Sequence, residues 1–318
     1  MLSAIHLALA VALDFLIGDP PGLPHPVRAI GTLALQLEAR LRRRVQNQRL
    51  AGVCTVFLVL LVTGSAAAGL LLLARRLPWP AGDIAAVIIL YYGIAARDML
   101  RHSRQVHAAL AASDLPLARR RVALIVGRDT ADMDAEEIVR ATVESVAENL
   151  VDGVSAPLFF AMLGGPVGIM LYKASSTMDS VFGYKNERYR EFGWAAARLD
   201  DLLNFVPARL TGIVMVAAAA LAGLRPVRAY AALRCDRLQH ASPNSGHSEA
   251  AMAGALGVQL GGPASYFGAI VEKPAIGRLG RKTEPGDILL ANRLFLVTTL
   301  IVALCCIATR LAIGQTFP

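Results

Sequence analysis

The amino-acid sequence predicts an all-α, polytopic integral membrane protein with about four to six membrane segments, some of them broken or re-entrant, and cytoplasmic helical segments. Of its 318 residues, 55% are apolar and only 18% are charged, and the mean hydropathy is positive. The alternation typical of half-buried strands is scarce. A soluble protein of this length usually carries more charge on its surface, so we expect lipid to cover part of the chain.

Apolar runs along the chain indicate where the membrane segments lie. They cover residues 2–17, 51–74, 83–96, 150–172, 206–224 and 294–314. Only the runs at 51–74 and 294–314 are long and uninterrupted enough to be clear spans, because a bilayer core requires about 20 apolar residues. The others are short or interrupted, for example by Asp14, by Gly164-Gly165-Pro166 and by Pro207. Broken helices of this kind are tolerated where they line a cavity or are buried in protein.

Basic residues predict the orientation of these segments. Arginines cluster between residues 40 and 49 and again between 97 and 140. Since cytoplasmic loops carry an excess of Arg and Lys, we expect both regions to face the cytoplasm, and we interpret 97–149 as a cytoplasmic helical insertion. Within it, Ser113 or Asp114 is placed to cap a short helix, and Asp134 with Glu137 has the spacing of a capping box. The sequence shows no basic stripe interleaved with aromatic residues, the pattern that would indicate nucleic-acid binding.

The first candidate functional stretch is "ATVESVAENLVDG" at 141–153, which places Glu144, Glu148 and Asp152 at spacings of four. On a helix these carboxylates share one side, among small apolar residues. A solvated helix face is one interpretation. Because the helix leads into a membrane segment, the alternative is that the acids are paired with cations or bind a metal. Oxygen ligands of this type suit Mg²⁺ that bridges to phosphate.

A second polar cluster lies between residues 172 and 205. It contains Lys173, Asp179, Lys185, Asn186, Arg188, Asp200, Asp201 and Asn204. Asp200 and Asn204 form another pair of oxygen ligands four residues apart, and the basic residues could neutralise phosphate oxygens. The alternative is a loop rich in surface ion pairs.

The third stretch, "SPNSGHSEAAMAGALGVQLGG" at 242–262, begins with a small polar turn ahead of a helix. Backbone N–H groups at such a helix start can bind an anion, although simple helix capping would use the same residues. The turn consists of Ser242, Asn244, Ser245 and Gly246. The histidines and cysteines of the chain, by contrast, show no convincing metal-ligand spacing.

Together these stretches resemble the CobD/CbiB family of cobalamin biosynthesis, the membrane-bound adenosylcobinamide-phosphate synthases. The similar motifs begin with "LDFLIGDPPGLPHPVRAIG" at 13–31 and "GRDT" at 127–130, and they continue in order through 141–160, 179–211 and 242–262. The family usually has Asn where this chain has Ser176, and commonly Pro where it has Ser248. The motifs are long and cover most of the chain, which predicts a single membrane domain over 1–318.

The resemblance implies an ATP-dependent acid–amine ligase with Mg²⁺ as cofactor. Its reaction would join (R)-1-amino-2-propanol phosphate, or the free amino alcohol, to a propionate carboxylate of adenosylcobyric acid, giving adenosylcobinamide phosphate. It also implies a multi-pass protein of the cytoplasmic (inner) membrane whose active site faces the cytoplasm. The partners would be the corrinoid, the amino alcohol phosphate and membrane lipid, with no nucleic acid, and a homo-oligomer stays open.

The resemblance also suggests roles for individual residues. The predicted catalytic residues are Glu144, Glu148, Asp152, Lys173 and Asp179. The predicted substrate or phosphate contacts are Asp19, His25, Arg128, Asp129, Lys185, Arg188, Ser242, Asn244, Ser245 and Gly246. The predicted metal ligands are Glu144, Glu148, Asp200, Asp201 and Asn204.

Other functional classes make different predictions. A transporter with intramembrane acids would be expected to contain paired inverted repeats, and the sequence reveals none. A non-catalytic membrane sensor of the same superfamily would be expected to lose the polar clusters, which here are nearly complete.

Overall fold

The computed structural model describes residues 4–20, 22, 24–184, 186–266, 268–278 and 280–316. A π-helical turn at Val151–Ser155 follows the seventh α-helix. The α-helices are α1 (Ala4–Ile17), α2 (Pro26–Arg44), α3 (Gln48–Ala74), α4 (Ala81–Tyr91), α5 (Ala96–Ala111), α6 (Leu115–Val122), α7 (Ala135–Leu150), α8 (Ala156–Phe182), α9 (Trp194–Leu221), α10 (Pro226–Asp236), α11 (Ser245–Leu256) and α12 (Gly286–Thr316). The predicted all-α fold is therefore confirmed.

The chain divides into two compact units. The first contains residues 1–95, 156–204 and 305–318, and the second contains 96–155 and 205–304. In the first unit α2, α3 and α8 pack on one another and α1 packs on α4. In the second unit α7 packs against α5, α6 and α11, and α10 lies along α11.

Within the described residues, four helical stretches are long and apolar enough to cross a membrane. They are Gln48–Ala74, Ala135–Phe182, Trp194–Leu221 and Gly286–Ile313. Large apolar side chains on α3, such as Phe57, Leu72 and Leu73, are more than half exposed, as expected for surfaces that lipid covers. Helices α1 and α4 contain 14 and 11 residues and are too short to span a bilayer as straight helices. This number of spans agrees with the predicted polytopic membrane protein.

The predicted break at Gly164-Gly165-Pro166 is present as a kink inside α8. Gly165 has a φ of 62° and a ψ of −150°, which no helical residue adopts and which glycine tolerates best. Pro166 follows it and cannot donate the helical hydrogen bond. Helix α8 is therefore two helical pieces in sequence rather than one straight rod.

The helix starts of the polar insertion follow the sequence signals closely. The side chain of Asp114 accepts a hydrogen bond from the Leu117 N–H at 2.9 Å and caps α6. At the start of α7, Asp134 accepts from the Glu137 N–H at 2.8 Å and Glu137 accepts from the Asp134 N–H at 2.9 Å. Both predicted caps are thus confirmed, and the cytoplasmic location of 97–149 stays a prediction.

A small antiparallel hairpin interrupts the helical architecture in the second unit. Strand β1 (Ala264–Tyr266) pairs with β2 (Ala269–Val271), with Ser265 opposite Ile270. Isolated bridges join Val258 to Arg281 and Leu260 to Ile276. The sequence did not predict this hairpin because strands of three residues are too short to show a recognisable alternation.

Candidate active site

Helix α7 presents Glu144 and Glu148 one turn apart on the same face. The apolar residues around them are buried and hold the helix in the second unit; they include Ala141, Val143, Val146 and Ala147. Asp152 lies beyond α7, in the π-helical turn at Val151–Ser155, where the spacing of an α-helix no longer applies. The expectation of three carboxylates on one continuous α-helix is therefore wrong for Asp152.

Glu144 is buried and its carboxylate is engaged at both oxygens. Only 4% of the residue is exposed. Arg128, whose side chain is also buried, donates to Oε2, and the Gly261 N–H donates to Oε1 at 2.8 Å. A buried charge requires such compensation. Glu144 therefore ties the segments around Arg128 and Gly261 to α7.

Gly261 is needed at this contact for two reasons. Its φ is +75°, and a Cβ there would collide with the carbonyl oxygen of Pro274. We expect Gly261→Ala to lower the free energy of unfolding by about 2–4 kcal/mol, because backbone strain and overpacking add. Gly268→Ala is the matched control: its φ is +78° but nothing lies within 4 Å of an added Cβ. In one detergent, Gly261→Ala should unfold at a clearly lower temperature than Gly268→Ala. Equal unfolding temperatures would contradict the steric argument.

Glu148 lies close to two residues that are distant in sequence, His240 after α10 and Glu249 on α11. One ligand atom from each of the three side chains lies within 4.8 Å of the others. His240 Nε2 lies 3.5 Å from Glu249 Oε1. Glu249 is 4% exposed, whereas Glu148 and His240 are partly exposed. We call this group the Glu–His–Glu cluster.

The hydrogen bond at the other ring nitrogen sets the tautomer of His240. The Ser242 N–H donates to His240 Nδ1 at 3.0 Å. Because Nδ1 accepts, the neutral ring carries its proton on Nε2, which faces Glu249. His240 is therefore arranged to donate to Glu249, and the carboxylates of Glu148 and Glu249 are the groups suited to bind a cation.

The surroundings of the cluster shift the pKa values of Glu249 and His240. Burial, followed by the charges of Glu144 and Glu148, raises the pKa of Glu249 well above its usual range, while Lys273 and Arg128 oppose this rise. Burial lowers the pKa of His240, and the charge of Glu148 opposes that effect. Glu249 therefore keeps a proton to higher pH than an ordinary glutamate, and a bound cation would favour its ionised form.

Small residues explain how α11 carries Glu249 into this position. A Cβ at Gly246 would collide with the carbonyl of Arg237, and one at Gly254 would collide with the carbonyl of Arg228. Because glycine has no Cβ atom, α11 can lie close against α10, and every residue from Gly246 to Leu256 is buried. Helix α11 begins at Ser245, so Glu249 lies at the start of its second turn.

The polar turn predicted at 242–246 is present at the start of α11. Ser242 Oγ accepts from the N–H groups of Asn244 and Ser245 at 3.2 and 3.3 Å. Asn244 is the residue before the helix, and its side-chain oxygen accepts from Arg209 at 3.4 Å. Ser242 thus satisfies the first N–H groups of the turn, and the anion-binding role of this turn stays a prediction.

Asp129 fastens the hairpin to the loop that carries Arg128. Its side chain accepts from the Ser265 hydroxyl at 2.7 Å and from the Gly268 N–H at 2.8 Å, and its own N–H donates to the Ser265 carbonyl at 2.9 Å. These contacts give Asp129 a positional role in the second unit.

Asp19 and His25, in the Pro-rich entry segment, lie near each other in the first unit. His25 Nε2 is 3.4 Å from Asp19 Oδ1, and His25 Nδ1 accepts from the Val27 N–H at the start of α2. The His25 ring packs edge-on against Tyr92, with ring centroids 5.2 Å apart. His25 is thus both the cap of α2 and a partner of Asp19.

The second polar cluster also belongs to the first unit. Asp200 and Asn204 are joined directly, because Asn204 Nδ2 donates to Asp200 Oδ2 at 2.9 Å, and the Tyr172 hydroxyl donates to Asn204 Oδ1 at 2.9 Å. Asp201 is 3.9 Å from Arg198. Lys173 and Asp179 lie on α8 and are half-buried.

Arg188 pairs with a buried acid that the sequence analysis did not single out. Glu38 is 2% exposed, and it accepts from Arg188 at 3.1 Å and from Arg42 at 2.9 Å. The guanidinium of Arg42 also lies over the Phe192 ring, 4.3 Å from its centroid. This network fastens the segment around Arg188 to α2 and gives it a structural role. Lys185, another predicted phosphate contact, lies outside the described residues.

Among the predicted site residues, the structure brings Arg128, Glu144 and Glu148 together in the second unit and adds His240 and Glu249. His240 was missed because its partner Glu148 is distant in sequence, so no ligand spacing revealed it. The signal available was the placement of His240 and Glu249 on either side of the polar turn at 242–246.

Comparisons with known proteins agree with this arrangement of motifs. The model of the CobD/Cbib protein family matches residues 7–295. Cobalamin biosynthesis protein CobD of Geobacter metallireducens is 52% identical over 268 residues, covering 84% of each chain. The CobD of Pelobacter propionicus is 48% identical over 305 residues, covering 95% of this chain and 94% of the relative. Cobalamin biosynthesis protein CbiB of Salmonella typhi is 43% identical over 306 residues, covering 95% and 96%.

No solved structure matches the chain significantly. The family match extends over nearly the whole sequence and includes α7, α10 and α11, which carry the Glu–His–Glu cluster. On this ground the chain belongs to the CobD/CbiB family.

Proposed function

We propose that this protein acts in cobalamin biosynthesis as an ATP-dependent ligase. It would join the amine of (R)-1-amino-2-propanol phosphate, or of the free amino alcohol, to a propionate carboxylate of adenosylcobyric acid. Membership of the CobD/CbiB family and the names of its relatives support the pathway. The observation that carries the chemistry is the convergence of Glu148, His240 and Glu249 beside the Arg128–Glu144 pair.

The reaction requires activation of a poor electrophile. A carboxylate is not attacked by an amine at neutral pH, so the carboxylate first takes the terminal phosphoryl group of ATP, which releases ADP and gives an acyl phosphate. The neutral amine then attacks the acyl carbon, the C–O bond to phosphate breaks, and amide, inorganic phosphate and a proton are released. Phosphoryl transfer depends mainly on positioning and charge neutralisation, so clustered acids that bind a cation, with nearby basic groups, are suitable residues.

The Glu–His–Glu cluster fits Mg²⁺ through its carboxylates. Mg²⁺ prefers oxygen and is usually bound by one or two carboxylates together with waters and substrate phosphates. Glu148 and Glu249 would supply those oxygens, while His240 would orient Glu249 through Nε2. When bound there, Mg²⁺ would neutralise phosphate oxygens during transfer.

Basic residues near the cluster suit the phosphates of ATP. The positive charges of Lys273 and Arg128 oppose the rise in the pKa of Glu249, and Arg128 also pairs with Glu144. Lys273 is partly exposed and could contact a phosphate directly, whereas Arg128 is held by Glu144. We therefore propose that Lys273 contacts a phosphate and that Arg128 positions the carboxylate of Glu144.

We place the protein in the cytoplasmic membrane with the active site facing the cytoplasm. Four long apolar helical stretches support a membrane location. The arginines at 40–49 and 97–140 favour a cytoplasmic side for the insertion at 97–149, which contains nearly all of α7. ATP and the two substrates would be available on that side.

A reconstituted reaction tests the proposed function. We expect full-length protein in a neutral detergent to form the amide from adenosylcobyric acid and the amino alcohol phosphate, releasing one ADP per amide, as measured by mass spectrometry. Omitting ATP or Mg²⁺ should abolish the product, and comparison with the free amino alcohol identifies the preferred amine. Corrinoid flux into liposomes without amide formation would instead favour a transporter.

A further inference from the structure

We propose that the second unit contains a separate site for a phosphate group, on the opposite side of α11 from Glu249. The site is a cavity of about 400 Å³ walled by α9, α10 and the first turn of α11. It is lined by Arg209, Ile213, Tyr230, Leu233, Arg234, Arg237 and His247. We call it the arginine pocket.

The positive charge of the lining residues favours the binding of an anion. Three of them are arginines, and no carboxylate occurs among the described residues that line the cavity. Guanidinium groups placed together repel one another unless an anion lies between them. Their planar forks match the oxygens of a phosphate group, which can accept paired hydrogen bonds from them.

Two of these arginines are held in place by helix carbonyls. Arg209 donates through NH1 to the Phe205 carbonyl at 2.7 Å. Arg237 donates through NH1 to the carbonyls of Leu233 and Arg234 at 3.3 and 2.9 Å. A guanidinium has five N–H donors, so each side chain is anchored at one nitrogen and keeps others for a ligand.

His247 supplies an independent sign of a ligand. The residue is 4% exposed, it lines the cavity, and its Nε2 is buried without a hydrogen-bond partner among the described residues. Buried polar nitrogens are normally paired, and an unpaired one requires an explanation. A phosphate oxygen in the cavity would provide the missing partner.

The electrostatics of His247 agree with this explanation. Burial, followed by the charges of Arg209 and Arg237, lowers its pKa to about 4. The imidazole is therefore neutral at pH 7, and in the tautomer that carries its proton on Nε2 it can donate a hydrogen bond to a phosphate oxygen. His247 also lies in the first turn of α11, where the positive end of the helix dipole favours an anion.

The arginine pocket is distinct from the Glu–His–Glu cluster. His247 and Glu249 are two residues apart on α11, and side chains at that spacing point to different sides of a helix. A phosphate here would therefore bind independently of the ligase chemistry. The largely exposed Ile213 and Tyr230 add an apolar edge, so the phosphate could belong to a lipid headgroup or to a soluble molecule.

Two arginines of α10 offer a matched pair of variants. Arg234 lines the arginine pocket, whereas Arg228 does not, and both are exposed, so neither Arg234→Gln nor Arg228→Gln should disturb folding. We expect Arg234→Gln to weaken binding of the phosphate group about tenfold through loss of a charge-assisted hydrogen bond, and Arg228→Gln to bind like wild type.

The experiment has a soluble arm and a lipid arm. Inorganic phosphate is titrated into full-length protein in neutral detergent, and calorimetry measures its affinity. Nanodiscs of phosphatidylcholine with or without phosphatidylglycerol form the second arm, and native mass spectrometry measures retained anionic lipid. In both arms the ring ¹⁵N chemical shifts of His247 are followed at one fixed pH by NMR on histidine-labelled protein, with the signal assigned by His247→Gln.

Each outcome decides the proposal. Phosphate binding that shifts the ring-nitrogen signals of His247 and weakens in Arg234→Gln alone supports a site for a soluble phosphate. The same pattern with phosphatidylglycerol only supports a lipid-headgroup site. Equal binding by Arg234→Gln and Arg228→Gln in both arms, or binding that leaves the ring-nitrogen signals of His247 unchanged, overturns the proposal.

Discussion

Replacing Glu148 by Gln is expected to lower kcat/KM for ATP-dependent amide formation by at least about a hundredfold, while the protein stays folded. Glutamine has nearly the same size as glutamate but cannot supply a full negative charge to a cation. Glu148 is one of two carboxylates in the Glu–His–Glu cluster, and losing a preorganised charge at the reacting centre typically costs about 10²–10³ in rate. The measurement is initial amide formation at several Mg²⁺ concentrations.

The Mg²⁺ series distinguishes metal binding from a general loss of activity. If Glu148 helps hold the ion, Glu148→Gln should require more Mg²⁺ to reach its own maximum rate. Glu136→Gln is the control, because Glu136 lies on the same helix, α7, and pairs at 2.7 Å with the exposed Lys282. That exposed pair contributes little, so Glu136→Gln should react like wild type. Unchanged turnover in Glu148→Gln would remove the cluster from the mechanism.

Interactions between neighbours in sequence could be predicted reliably. The caps formed by Asp114 and by Asp134 with Glu137 depend on residues three positions apart, so their geometry follows from the start of the helix. The break at Gly165 and Pro166 was equally local, since one residue has the required φ and the next has no N–H to donate.

Interactions between distant segments could not be predicted from spacing. Glu148 comes from α7, His240 from the segment after α10, and Glu249 from α11, so the Glu–His–Glu cluster exists only once these elements pack. The type of a basic residue also does not reveal which group it pairs with. Arg128 was expected to contact phosphate, and the structure pairs it with Glu144.

Removing Arg128 should produce the largest loss of stability of any substitution considered, because it leaves the charge of Glu144 buried. The side chains of Arg128 and Glu144 are 9% and 6% exposed. Breaking a buried ion pair from one side costs about 3–5 kcal/mol, and we expect Arg128→Met to lower the free energy of unfolding by that amount. Circular dichroism during denaturation, in one detergent and without substrates, measures the change.

A second substitution separates the buried charge from lost packing. Glu144→Gln removes the charge and still offers an oxygen to the Gly261 N–H, so the double variant Arg128→Met/Glu144→Gln should be more stable than Arg128→Met alone. Lys282→Met breaks an ion pair whose lysine side chain is 84% exposed, and its effect should stay below about 1 kcal/mol. If the double variant is no more stable than Arg128→Met, the cost comes from packing around the arginine, and Arg128 is not what makes the burial of Glu144 tolerable.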